Sequence, residues 1–282
     1  MKRISLAQVI GVVTLASAML AGCGGGGDAT TVSATAPASG TTTSTPTSDP
    51  VVVTTAAVDG IYNGTTSTNQ AITALILADN SYYIMYSKMG DPASFNGVAF
   101  GSGTLSNGNY FSGSFKDINL TGGVSTGTLV GNYISKQSFI GALGYDNSTE
   151  APTSFSSVYD PSYATAPSLT TVAGVYTGTL AAGPLTAGSP VPSETLVLKI
   201  TDTGVMSGDL TCSCTLEKAT MSLNGNAYAV SLTFSDGNGT HPLHGQAFAG
   251  SAYFDAPNKR LVVAGTLLDA AKTPAMFVGT KP

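Results

Sequence analysis

Two cysteines two residues apart and the chain's only two histidines are the side chains best suited to metal or redox chemistry. Leu210, Cys212, Cys214 and Leu216 alternate with Thr211, Ser213, Thr215 and Glu217, the period of a half-buried strand. His241-Pro242-Leu243-His244 follows within thirty-three residues of Cys212. Two thiolates and two imidazoles suit a tetrahedral zinc, so Cys212, Cys214, His241 and His244 form one candidate metal set. Residues three apart on a strand face opposite ways, so both histidines converge only if Pro242 breaks the strand. A Cys212–Cys214 disulfide is the second reading, favoured in an exported chain. It needs a bulge at Ser213, because same-face residues lie ~6.6 Å apart and a bridge wants Cβ atoms near ~4 Å. Bare thiols in an apolar core are the third.

Other constellations fail on spacing. Gly123-Val124-Ser125-Thr126-Gly127 spells G-x-S-x-G, but Thr128-Leu129-Val130 continues as strand where a nucleophile elbow needs a helix. Asp59, Asp79, Asp117, Asp160, Asp202, Asp209, Asp236, Asp255 and Asp269 mostly read as turn residues that hydrogen-bond their own backbone. No glycine run leads into a helix and lysine that could cradle phosphate. Tyr82, Tyr83 and Tyr86 lie close enough along one strand for at least one to face solvent. The residues imply no cofactor, and we read the chain as non-enzymatic.

Cys23 belongs to a different chemistry. Lys2 and Arg3 precede a twelve-residue apolar run, Val9 to Leu20, too short for the ~20 residues of a spanning helix. Leu20-Ala21-Gly22-Cys23 then resembles the lipobox of bacterial lipoproteins. The resemblance implies a signal peptide over residues 1–22, lipidation of Cys23, and anchoring in the outer membrane, because Gly24 rather than an aspartate follows. Residues 23–53 are almost wholly Gly, Ala, Ser, Thr and Pro up to Pro50 and read as a disordered tether. The chain carries net charge −5, and cleavage would remove two cations. An acidic chain is poorly suited to nucleic acid.

Beyond the tether the sequence repeats itself. Gly60-Ile61-Tyr62-Asn63-Gly64-Thr65 recurs as Gly174-Val175-Tyr176-Thr177-Gly178-Thr179. Leu75-Ile76-Leu77 answers Leu196-Val197-Leu198. Phe115-Lys116-Asp117 answers Phe234-Ser235-Asp236, and Gly141-Ala142-Leu143 answers Gly265-Thr266-Leu267. Asn107-Gly108 and Asn224-Gly225 suit two-residue hairpin turns. Alternating patterns such as Val230, Leu232 and Phe234 predict strands, and no long helical period appears. The expected fold is all-β: two antiparallel up-and-down barrels, residues 54–147 and 171–282, joined by a linker over 148–170. One larger barrel or sandwich built from both repeats is the alternative.

This organisation is loosely similar to the surface lipoproteins typified by transferrin-binding protein B and factor H-binding protein, with Gly101-Ser102-Gly103-Thr104-Leu105 and Gly127-Thr128-Leu129 as the shared texture. No binding residue of those families maps here. The resemblance implies a binding or interaction module held on the membrane by lipid and facing the periplasm or the outside. Its partner would be an unidentified protein or small ligand. A structural role in the envelope, and a metal protein or enzyme built on the Cys/His set, are the alternatives. No oligomeric state follows from the sequence.

Overall fold

The computed structural model describes residues 57–282, apart from 147, 184–190, 211–213, 225–226, 237–238 and 240. The leader, Cys23 and the tether therefore lie outside the described residues. The first repeat forms β1 (Gly60–Thr66), β2 (Ala71–Ile76), β3 (Ser81–Lys88), β4 (Asp91–Ser102), β5 (Thr104–Ser106), β6 (Asn109–Asn119), β7 (Gly123–Ile134), β8 (Ser138–Tyr145) and β9 (Thr153–Tyr159). All pairings are antiparallel; β1 meets β9, and β4 passes directly to β6, so the sheet closes with β5 as a short excursion. A 3-10 turn, Pro161–Ala164, and one helical turn, Leu169–Val172, lead to the second repeat. It forms β10 (Gly174–Ala182), β11 (Ser193–Ile200), β12 (Met206–Leu210), β13 (Cys214–Asn224), β14 (Ala227–Asp236), β15 (Ala247–Asp255), β16 (Arg260–Leu267) and β17 (Pro274–Thr280), closed by β10 on β17. The fold is thus two closed eight-stranded antiparallel barrels, and the single-barrel alternative does not form.

The shared hexapeptide makes the closing seam. Gly64 lies on β1 where it crosses β9, and an added Cβ would sit 1.9 Å from the Ser156 carbonyl oxygen. Gly178 does the same on β10, where a Cβ would sit 2.0 Å from the Val278 oxygen. Tyr62 Oη donates to the Val58 carbonyl at 2.8 Å, and Tyr176 Oη to the Val172 carbonyl at 2.6 Å. Both tyrosines and both valines are buried, so each repeat plugs the same end of its barrel with one latch. Each answering motif falls on strands of equal rank. Leu75-Ile76-Leu77 and Leu196-Val197-Leu198 are nevertheless out of phase: Leu75 points outward and Leu196 inward.

Contact between the barrels explains two departures from expectation. Tyr82 and Tyr86 fill the first barrel, while Tyr83 and Met85, on the other face of β3, pack against the second barrel. None of the three tyrosines is freely exposed, because β3 is covered on both faces. The run Leu261-Val262-Val263 has the same cause: Leu261 and Val263 line the second barrel and Val262 lies in the contact between barrels. That contact is apolar, with Ile61, Leu75, Val98 and Ile118 facing Ala181, Val262, Ala264 and Met276. The two barrels meet through unlike faces: mainly ranks one to five of the first, against the last strands and β10 of the second.

Candidate functional site

Each barrel has a latched end and an opposite end where its fifth strand stops. On β6 the inward residues run Phe115, Asp117, Asn119; on β14 they run Phe234, Asp236. By sequence both aspartates read as turn residues. Asp79, Asp160, Asp255 and Asp269 do accept from backbone N–H groups in turns. Asp117 does not: it is 4% exposed within a strand, paired with Ala99 and Ser125. The available signal was the i, i+2 spacing of Phe115, Asp117 and Asn119, which puts a carboxylate on the core face.

Tyrosines hold that carboxylate. Tyr86 Oη donates to Asp117 Oδ1 at 2.6 Å and Tyr145 Oη to Oδ2 at 2.8 Å. Asn119 Nδ2 donates to Tyr86 Oη at 3.1 Å, so the hydroxyl is fixed from both sides. Gly97, opposite Tyr86 in register, leaves the room its phenol needs. Burial pushes the Asp117 carboxyl above the usual carboxylate range, and the two tyrosine hydroxyls pull it partly back. Burial, then the Asp117 charge, push the Tyr86 and Tyr145 hydroxyls up as well. Above this triad opens a polar cavity of ≈ 560 Å³ walled by Gln70, Lys88, Asn96, Thr121 and Ser125. The arrangement offers a fixed acceptor pair and several amides and hydroxyls: equipment for hydrogen-bonding a polar molecule. Ser125 of the G-x-S-x-G run lies on this rim inside strand β7, paired with Asp117, not at an elbow.

At the equivalent end of the second barrel, the described part of the β14–β15 connection folds back on Asp236. Asp236 accepts from the backbone N–H of Gly239 at 2.5 Å and of His241 at 2.6 Å. His244 Nδ1 lies 2.7 Å from Asp236 Oδ1 and 3.1 Å from the Asp236 amide nitrogen. One nitrogen cannot donate to the first and accept from the second. The shorter, charge-assisted contact governs, which puts the proton on Nδ1. His241 accepts from the Leu243 N–H through Nδ1 at 3.2 Å and meets Glu194 Oε1 through Nε2 at 2.8 Å. Leu243, between the histidines, packs on the barrel core.

The four sequence-picked ligands therefore converge on one barrel end only in part. Cys214 opens β13 in register with Asp236; Cys212, like Cys23, lies outside the described residues. Among the described residues no three His, Cys, Asp or Glu side chains are grouped as a metal site would require. Both histidines have carboxylate partners, and both His241 nitrogens are engaged.

A larger groove of ≈ 590 Å³ runs between the barrels past Tyr163, Tyr253 and Arg260. Its charges are mostly spent on neighbours: Arg260 Nη2 on Asp255 at 2.8 Å and Asp160 on Asn63 at 2.9 Å. We place the site at the mouth of the first barrel because there Asp117, 4% exposed and without a cationic partner in its hydrogen bonds, lines an open cavity.

No protein-family model matches the chain, and none of the curated proteins does. Among solved structures, a Bacteroides fragilis protein described provisionally as an outer membrane protein aligns with 79% of this chain and 98% of its own, at 14% identity and TM-score 0.27. Superposition at that level is too loose to transfer anything to this chain.

Proposed function

We propose that this protein is an envelope lipoprotein, anchored through Cys23, that acts as a non-enzymatic binding module and takes a small polar ligand at the mouth of its first barrel. The observation that carries the binding reading is Asp117, a buried carboxylate held by Tyr86 and Tyr145 beneath an open polar cavity. A carboxylate whose burial is not fully offset lowers stability, and the fold has no need of one there. At the equivalent end of the second barrel, Asp236 is instead engaged by the described backbone amides of Gly239 and His241 and by His244.

The lipobox supports the address. The sidedness of the barrels agrees with a tethered module rather than a spanning one. Their apolar side chains fill the interior, whereas a membrane-spanning barrel turns an apolar band outward around a polar lumen. The loose organisational likeness to transferrin-binding and factor H-binding lipoproteins points the same way, without their ligands.

Two experiments test the reading. Metabolic labelling with an alkynyl fatty acid should mark the wild type and not Cys23→Ser; labelling of both removes the anchor. Thermal-shift titration against a panel of hexoses, amino acids and short peptides should find a compound that raises the wild-type melting temperature. The same compound should leave Asp117→Asn unmoved. A panel with no effect on either protein, or equal shifts in both, removes the binding site.

A further inference from the structure

The barrels meet through unlike faces, so each leaves one face of that contact unmatched. Of the second-barrel strands equivalent to β1–β4, β10 enters the contact through Ala181, while β11–β13 stay open and carry charge: Lys199, Asp209, Glu217 and Lys218. The corresponding strands of the first barrel present Ile61, Leu75, Met85 and Val98 to the contact. That open face mixes these charges with exposed Val197 and Leu223.

The other unmatched face differs. β7, β8 and β9 hold the ranks that β15, β16 and β17 hold in the second barrel, where the face is covered by protein. β7, β8 and β9 contain no charged residue. With the outer end of β6 they expose Phe111, Val130, Ile134, Ile140 and Val158, each between 49% and 66% open to solvent. Register makes these neighbours. Phe111 pairs with Val130, Ile140 is diagonal to Val130 through the Val130–Ala142 pair, and Val158 is diagonal to Ile140 through the Ser138–Val158 pair. The result is one oblique apolar stripe across four strands, flanked by Ser, Thr, Asn and Gly.

We propose that a second copy of this chain covers the stripe, as a face-to-face dimer through β7–β9. Three features select that occupant. Among the described strands of the first barrel only the three-residue β5 keeps a free edge, too short to pair extensively, so association goes through a face. A line of apolar side chains is self-complementary about a two-fold axis through its centre, which sets Phe111 over Val158 of the second copy and Val130 over its Ile140. Five side chains each about half open to solvent supply roughly half of the ~800 Å² per partner of a stable interface, and their polar margin would supply the rest. Head-to-tail stacking is disfavoured, because the surface it would bring is the charged one on β11–β13.

Sedimentation velocity on the full chain carrying Cys23→Ser, so that no lipid drives association, tests this. The chain lacks tryptophan, so Ile140→Trp adds a single indole reporter. The expected result is a dimer that Ile140→Lys weakens about ten-fold or more, while Val197→Lys on the second barrel leaves it intact. Emission from the Ile140→Trp variant should shift to the blue as protein concentration rises. A melting curve shows that each variant folds. A chain that stays monomeric throughout overturns the proposal, as does a dimer indifferent to Ile140→Lys. Monomers of the Ile140→Trp variant whose indole is quenched by vesicles of brominated phosphatidylcholine would give the face to a bilayer instead and likewise overturn it.

Discussion

Asp117 and Asp236 occupy the same place in two barrels of the same strand order, each two residues past an inward phenylalanine. Around Asp117 the chain supplies tyrosine hydroxyls and leaves a cavity above them. Around Asp236 it supplies its own backbone amides and His244, and lays Leu243 on the core. The interiors follow suit. Tyr62, Tyr82, Tyr86, Tyr110 and Tyr133 stand in the first barrel; the second is filled mainly by leucine, valine, methionine and phenylalanine around a residual void of ≈ 20 Å³, room for about one water. One architecture thus carries a carboxylate beneath an open cavity in one barrel and, among the described residues, a carboxylate bound by its own chain in the other. The closing seam is what they share; the mouth is where they part.

The seam is the place to break the likeness. Gly64→Ala and Gly178→Ala each drive a Cβ into backbone that has nowhere to go. Each should cost about 3 kcal/mol in urea denaturation, near the upper end for overpacking. A harmless substitution at either position would mean the two seams are not equivalent. Asp236→Asn removes one of two carboxylate oxygens that accept backbone N–H groups and should cost about 1–3 kcal/mol. Tyr62→Phe and Tyr176→Phe each leave a buried carbonyl without its donor, and both should lose about 1–2 kcal/mol by the same assay.

Asp117→Asn should behave oppositely to Asp236→Asn, with a pH signature. The folded-state pKa of Asp117 is raised, so below the ordinary value near ~4 both folded and unfolded states are protonated. As pH rises from there towards the folded value, the unfolded chain ionises first and stability falls. The variant lacks that fall. It should match the wild type in acid and be at least as stable at neutral pH; a wild type that gains on the variant as pH rises would contradict the assignment. The smallest effect is at Tyr82, whose buried hydroxyl lies near Ser112 without a well-formed hydrogen bond. Tyr82→Phe should raise stability by up to about 1 kcal/mol.

The fold was largely legible because its determinants are local. Alternation marks the strands, Asn107-Gly108 takes the positive φ angles of a hairpin turn, and the repeated hexapeptide carries both the seam glycine and the latch tyrosine. Closure of the second repeat also followed from the repeat, but the first closes only through β9 (Thr153–Tyr159), which falls in the stretch read as linker. What the sequence could not disclose was the contact between barrels, which turns Tyr83 and Met85 from a solvent face into a buried one. That is a tertiary fact with no local period. The site was missed for a similar reason. Asp117 becomes a buried acceptor only when Tyr86, thirty-one residues away, and Tyr145, twenty-eight away, close around it. The Cys/His set stood out by rarity, yet both histidines have carboxylate partners.

Mapping amide chemical-shift changes by two-dimensional NMR, with a compound that passes the thermal-shift screen, tests the division between the barrels most directly. Movement is expected at Gln70, Asn96, Asp117, Asn119 and Tyr145, and none at Glu194, Asp236, His241 or His244. Shifts confined to the second set, with the first barrel silent, would contradict that division.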